Sequence, residues 1–160
     1  MENEVKNEMM SLRGMFRIQV GEDVETGKVV VGDSGWCKNE VVNEGFLHYI
    51  CSTIGAVAGS KQVSYIALGT GTAPNVTHSA LDGETKRGTC DNSVVSSKTL
   101  QCTVAFASGA HPGGTPTIQN IALFNTSAGG SMLCGNTYST SVWNSNQGVS
   151  ATYQLRFGTA

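Results

Sequence analysis

Charge is what this sequence has least of. Only 14% of its 160 residues are Asp, Glu, Lys or Arg, against roughly a quarter in an average soluble domain. Ten cations stand against twelve acids, a formal net charge of −2. That leaves no basic stripe of the kind that follows a phosphate backbone, so no nucleic-acid partner is expected. No apolar run approaches the roughly 20 residues of a spanning helix, so no membrane partner is expected either. The opening MENEVKNEMM has no cationic start and no apolar stretch. It does not read as a secretion signal, and synthesis in a cytoplasm is expected. A CxxC knuckle is missing too. The five cysteines, Cys37, Cys51, Cys90, Cys102 and Cys134, are odd in number and widely spaced. They read as free, mostly buried thiols, although the residues leave a pairing between two of them open.

Gly, Ser, Thr and Asn fill the place of the missing charge. That composition suits short strands joined by many turns and does not suit a helical bundle. The length fits one domain with a real core, which needs no metal or disulfide to fold. We expect a mainly β protein: a β-sandwich of about seven strands with one packed helix. Residues 1–12 form an N-terminal arm and 13–160 the sandwich domain. In the arm, Val5, Met9 and Leu12 fall at helical spacing.

The stretch Val63 to Pro74, VSYIALGTGTAP, organises the chain. Apolar residues on both of its sides predict a strand covered on both faces. Gly69 and Gly71 then stop it, since glycine reaches positive φ freely, and Pro74 takes the chain out of the sheet. Before it, Phe16, Ile18 and Val20 alternate along a strand over Gly14 to Val20. Lys28 to Val31 pairs back after an EDVETG turn. Asn43 reads as an N-cap for a helix over Glu44 to Val57, ended by Gly55 and Gly59. Its stripe Phe46, Leu47, Ile50, Cys51 and Ile54 is expected to pack on a sheet face. Asn75 to Val95 reads as the longest irregular region. Strands follow over Lys98 to Ala107, Ile118 to Asn125 and Ser131 to Thr137. The last, Val149 to Phe157, alternates most regularly.

Three motifs suggest chemistry and fail on context. Gly32 to Gly35 reads GDSG, similar to the nucleophile loop of chymotrypsin-like proteases, but no histidine precedes Ser34. Gly55 to Lys61 has the wrong spacing for a P-loop and ends a helix where a P-loop begins one. Gly69-x-Gly71 lacks the third glycine of a dinucleotide site. His48, His78 and His111 have no second ligand at metal spacing. No catalytic, metal or cofactor-binding residue is therefore assigned. No cofactor is expected, and the chain is read as not an enzyme.

Several segments, taken in order, resemble a group of small tailed-bacteriophage structural proteins. They are the RGMFRIQV strand at Arg13 to Val20, the turn at Asp23 to Val29, and Asn39 to Gly45 leading into the helix. The IALGTGTAP turn at Ile66 to Pro74 follows, then Ala80 to Glu84 with Arg87 after it. The last two are the Thr117 to Leu133 hairpin and the closing Leu155 to Phe157. The resemblance covers roughly residues 13 to 157 and implies a virion protein made in the host cytoplasm. The position in the virion is read from the chain itself. One compact domain with no detectable active site, a terminal arm and a surface low in charge lead to the expectation of a capsid decoration, or cement, protein that binds the outer shell and stabilises it through arm and loop contacts. The partner would be the major capsid protein or another virion protein, and self-association, for instance as a trimer, is expected. The alternative is a tail-tip, fibre or collar component whose loops recognise a host surface; Trp143 reads equally as an exposed contact for it or as a core residue. A small hydrolase ranks last.

Overall fold

Strict alternation builds the core of the computed structural model, which describes residues 10–22, 29–114 and 116–159. In β1 (Met10–Glu22) Phe16, Ile18 and Val20 turn inward and are buried. In β11 (Gly148–Thr159) Val149, Ala151, Tyr153 and Leu155 do the same. The two strands pair antiparallel along their whole length, from Met10 opposite Thr159 to Gly21 opposite Gly148. On the far side of β11 lies β8 (Thr99–Phe106), which turns Cys102, Val104 and Phe106 inward. β2 (Val29–Asp33) and the short β3 (Cys37–Lys38) flank β1, and β7 (Asp91–Ser96) closes the opposite edge beyond β8. The result is a six-stranded sheet.

The second sheet has five strands in the order β4 (Glu40–Val41), β10 (Met132–Val142), β9 (Thr117–Phe124), β5 (Tyr65–Gly69) and β6 (Glu84–Thr89). Every pairing in both sheets is antiparallel. The architecture is a mainly β sandwich whose sheets bury Phe16, Tyr153, Trp143, Phe106, Ile121 and Leu68 between them. Phe16 lies 5.6 Å from Tyr153 and meets Tyr138 edge-on at 5.9 Å. A smaller cluster of Val42, Ala67, Leu81, Ala122, Phe124 and Met132 covers the outside of the second sheet. β5 is thus enclosed on both faces, as its sequence predicts.

Eleven strands among the described residues replace the seven expected, for a specific reason. Two chain segments cross from one sheet to the other in a single residue. Asn39 separates β3 from β4, and Cys90 separates β6 from β7. The short pieces beside Asn39 are too brief to alternate. β6 and β7 are polar edge strands, with all six residues of β7 exposed. The expected irregular region over 75–95 therefore holds two strands.

The helix also departs from expectation. It runs over 43–54, and its Gly45–Cys51 portion is π-helical, with the Ser52 N–H bonded to the Leu47 carbonyl. A stripe spaced for 3.6 residues per turn spreads around a wider helix. Phe46, Leu47 and Ile54 are consequently 46%, 57% and 77% exposed, and do not pack on a sheet. Asn43 is no N-cap; its N–H bonds the Val76 carbonyl. Backbone contact docks the helix instead, because Gly45 lies against the Leu133 carbonyl with no room for a Cβ. Gly55 keeps a negative φ at the helix end, and Ala56 takes the left-handed turn at φ 50°. At the amino end, Met10 to Leu12 belong to β1 rather than to an arm. The rest of the expected arm and the EDVETG turn from Asp23 onward lie outside the described residues.

Candidate interaction surface

The motif residues prove to be structural. Asp33 and Ser34 of GDSG close the β2 end. Both Asp33 oxygens accept from Arg17 Nε, at 2.9 and 3.1 Å. Those bonds hold the carboxyl well below the usual carboxylate range. Ser34 Oγ accepts the Ile18 N–H at 2.9 Å and donates to the Gly35 carbonyl, so its proton and one of its two lone pairs are in use.

The GTGT loop over 70–83 is a clasp. Asp82 Oδ2 accepts from the Thr72 N–H and the Thr72 hydroxyl at 2.8 and 2.9 Å, which lowers its pKa. The buried Asn120 on β9 donates to the carbonyls of Thr72 and Asp82 at 3.0 and 2.8 Å. Gly69 and Gly71 are required for space rather than for positive φ. A Cβ on Gly69 would come within 2.5 Å of Asn120 Oδ1, and one on Gly71 would strike the Asp82 backbone. Positive φ in this loop belongs to Gly83, at 62°.

The three histidines are dispersed. His48 lies on the helix. His78 Nδ1 accepts the Asn75 N–H at 3.3 Å. His111 packs edge-on against Trp143, 5.3 Å between ring centres, and its Nε2 lies 2.7 Å from the Trp143 carbonyl. Trp143 is fully buried and its indole N–H donates to the Gln147 carbonyl. Of the two readings open for Trp143, an exposed contact or a core residue, the structure shows the second; loop composition around it could not choose between them. No group of three His, Cys, Asp or Glu side chains converges as a metal site among the described residues. All five cysteines are free, and Cys90, Cys102 and Cys134 are buried. No described helix is long and apolar enough to cross a membrane.

What the geometry does present is a surface around the helix. Beneath it lies a largely apolar cleft of about 330 Å³, walled by Leu12, Tyr49, Ile50, Leu100, Leu155 and Phe157. Tyr49 anchors the helix by donating to the Ser131 carbonyl, and burial pushes its phenol pKa up. Lys61, also lining the cleft, donates from Nζ to Ser131 Oγ at 2.9 Å. Phe46, Leu47 and Ile54 on the helix, and Val57 just past its end, are exposed. Sequence periodicity found Phe46, Leu47 and Ile54 but assigned them to the core, because a π-helical segment leaves no mark in the pattern. Comparison with protein-family models, curated proteins and solved structures returned no match.

Proposed function

We propose that this chain is a structural protein of a tailed-bacteriophage virion, and within it a capsid decoration protein that binds the outer shell and stabilises it by mass action. The carrying observation is the exposure of Phe46, Leu47 and Ile54 on the helix and of Val57 just past its end. Four large apolar side chains held in solvent on one short segment, whose Tyr49, Ile50 and Thr53 line an apolar cleft, are the kind of exposed apolar surface that marks a protein–protein contact. The motif series from Arg13 to Phe157, with its resemblance to phage structural proteins, supports the same reading. So does the use of GDSG and the GTGT loop for internal bonding, which favours a binding protein over a hydrolase. The tail-tip alternative loses Trp143 as a contact.

Copy number tests this reading. Quantitative mass spectrometry of purified particles, referenced to the major capsid protein, should find hundreds of copies per virion. A few to a few dozen would move the protein to the tail, vertex or collar. Absence from particles would overturn both structural readings.

A further inference from the structure

A second surface lies on the opposite side of the six-stranded sheet from the core. Register places its outward residues in rows that run across the strands. One row is Thr99, Arg156 and Arg13. The next is Ser93, Gln101, Gln154, Met15 and Lys38. A solvated outer face on an antiparallel sheet is ordinary, but this one carries an unfavourable pair. Arg13 and Arg156 sit directly opposite on neighbouring strands, an arrangement that costs stability for like charges. Neither guanidinium meets a carboxylate among the described residues. The Asp33 carboxylate on the same face is taken by Arg17 and Gln19, and Asp91 lies across the sheet opposite Thr103.

The surroundings of the pair are arranged. Arg156 donates from Nε and from a terminal nitrogen to Gln154 Oε1, at 3.0 and 2.6 Å. Gln154 Nε2 in turn donates to Gln101 Oε1 at 2.8 Å. That chain fixes the guanidinium and leaves the Gln101 amide N–H groups as outward donors. Trp36 is 43% exposed, and the Arg156 guanidinium carbon lies 5.9 Å from its ring centre. Arg13 and Lys38 line an adjoining open hollow of about 450 Å³.

We infer that this face binds an acidic carbohydrate, a chain of uronate or sialate sugars. Each guanidinium matches a carboxylate by fork geometry, and two in one row suit a chain of repeated carboxylates. An exposed indole offers a flat surface to the apolar side of a sugar ring, and the glutamine amides suit hydroxyl groups. A protein partner fits less well, because a protein contact centres on buried apolar anchors and Met15 is the one large aliphatic residue in these two rows. The inference does not depend on the assembly role proposed above.

The test is binding of the full chain to polygalacturonate, alginate and polysialic acid in 150 mM salt, followed by calorimetry. Methyl-esterified polygalacturonate, poly-glutamate and a short DNA duplex serve as comparators. Binding is expected to at least one of the three acidic glycans, with at least tenfold weaker binding to every comparator. Arg156→Gln and Trp36→Ala should each weaken it at least tenfold. Both side chains are exposed, so an unchanged melting temperature will show that the fold is intact; should either variant melt lower, Arg13→Gln takes its place. Failure to bind any of the three glycans would overturn the inference. So would equal binding to poly-glutamate or DNA with no effect of Trp36→Ala, which would leave a general cationic patch.

Discussion

At the scale of single residues, burial decides reactivity as well as stability. Cys134 is fully buried, and loss of solvent pushes its thiol pKa up to about 12. An unfolded thiol titrates near about 8.5. The folded state therefore holds its proton more tightly, and stability is full below about pH 8.5 and falls as pH rises toward the folded value. The buried phenols of Tyr138 and Tyr153, also shifted upward by burial, add to the same fall from about pH 10. We expect the urea midpoint to be lower at pH 10.5 than at pH 8; an unchanged midpoint would mean that these groups are hydrated. Labelling should agree. At pH 8 a thiol reagent should modify the exposed Cys51 in the native protein, while Cys134 reacts only after unfolding.

Tyr153 separates packing from hydrogen bonding at one position. Its ring is fully buried against Phe16, and its hydroxyl accepts from Asn39 Nδ2 at 2.8 Å. Tyr153→Ala should destabilise by about 3–5 kcal/mol through lost transfer and a cavity. Tyr153→Phe should cost about 1 kcal/mol, plus whatever an unpaired Asn39 amide adds. Equal losses in chemical denaturation would show that the hydroxyl, not the ring, holds this site. Alternation in the sequence was enough to place Tyr153 in the core. It was not enough for Trp143, whose direction depends on His111 and Gln147 in loops that carry no period. Nor could it tell that Gly69 and Gly71 make room for Asp82 and Asn120, since a glycine in a sequence does not say whether it serves φ or space.

At the scale of elements, legibility followed how much of each element's surface is buried on one side. β1, β8 and β11 each bury one face and alternate, and their inward residues were readable. β5 is enclosed on both faces and read as a continuous apolar run. β6 and β7 lie at sheet edges, where one flank is unpaired and polar residues are favoured, so their sequences look like loop. The helix was located but misread, because a π-helical segment breaks the spacing that its stripe assumes. That difference has a measurable consequence. Core residues would make Leu47→Ser and Ile54→Ser severely destabilising. As exposed residues they should change stability by no more than about 0.5 kcal/mol each. Under the assembly reading the same variants should lose binding to particles while melting normally. A large drop in melting temperature would instead return the stripe to the core.

At the scale of the whole molecule, the terminal strands meet last in sequence and side by side in space. Met10 and Thr159 are direct partners, so the longest ladder of the six-stranded sheet joins the most distant parts of the chain. Closing a long loop carries an entropic cost that grows by about 0.6 kcal/mol per doubling of its length, and non-local pairing slows folding. A circular permutant separates this cost from the native structure. A short linker from Ala160 to Met10 turns β11 and β1 into a hairpin. New ends between Ala58 and Gly59 fall in an exposed turn, where a Cβ on Gly59 would meet nothing within 4 Å. This opening keeps β5 with β9 and β8 with β11 at their present separations, and it shortens the path between β10 and β4. The loop-length scaling lowers the closure cost by about 3 kcal/mol. The permutant should therefore fold to the same sandwich and refold up to about a hundredfold faster. Stopped-flow refolding checks it: a rate equal to that of the parent chain would place the pairing of β1 with β11 after the folding barrier, leaving the inner contacts of the two sheets to set the rate.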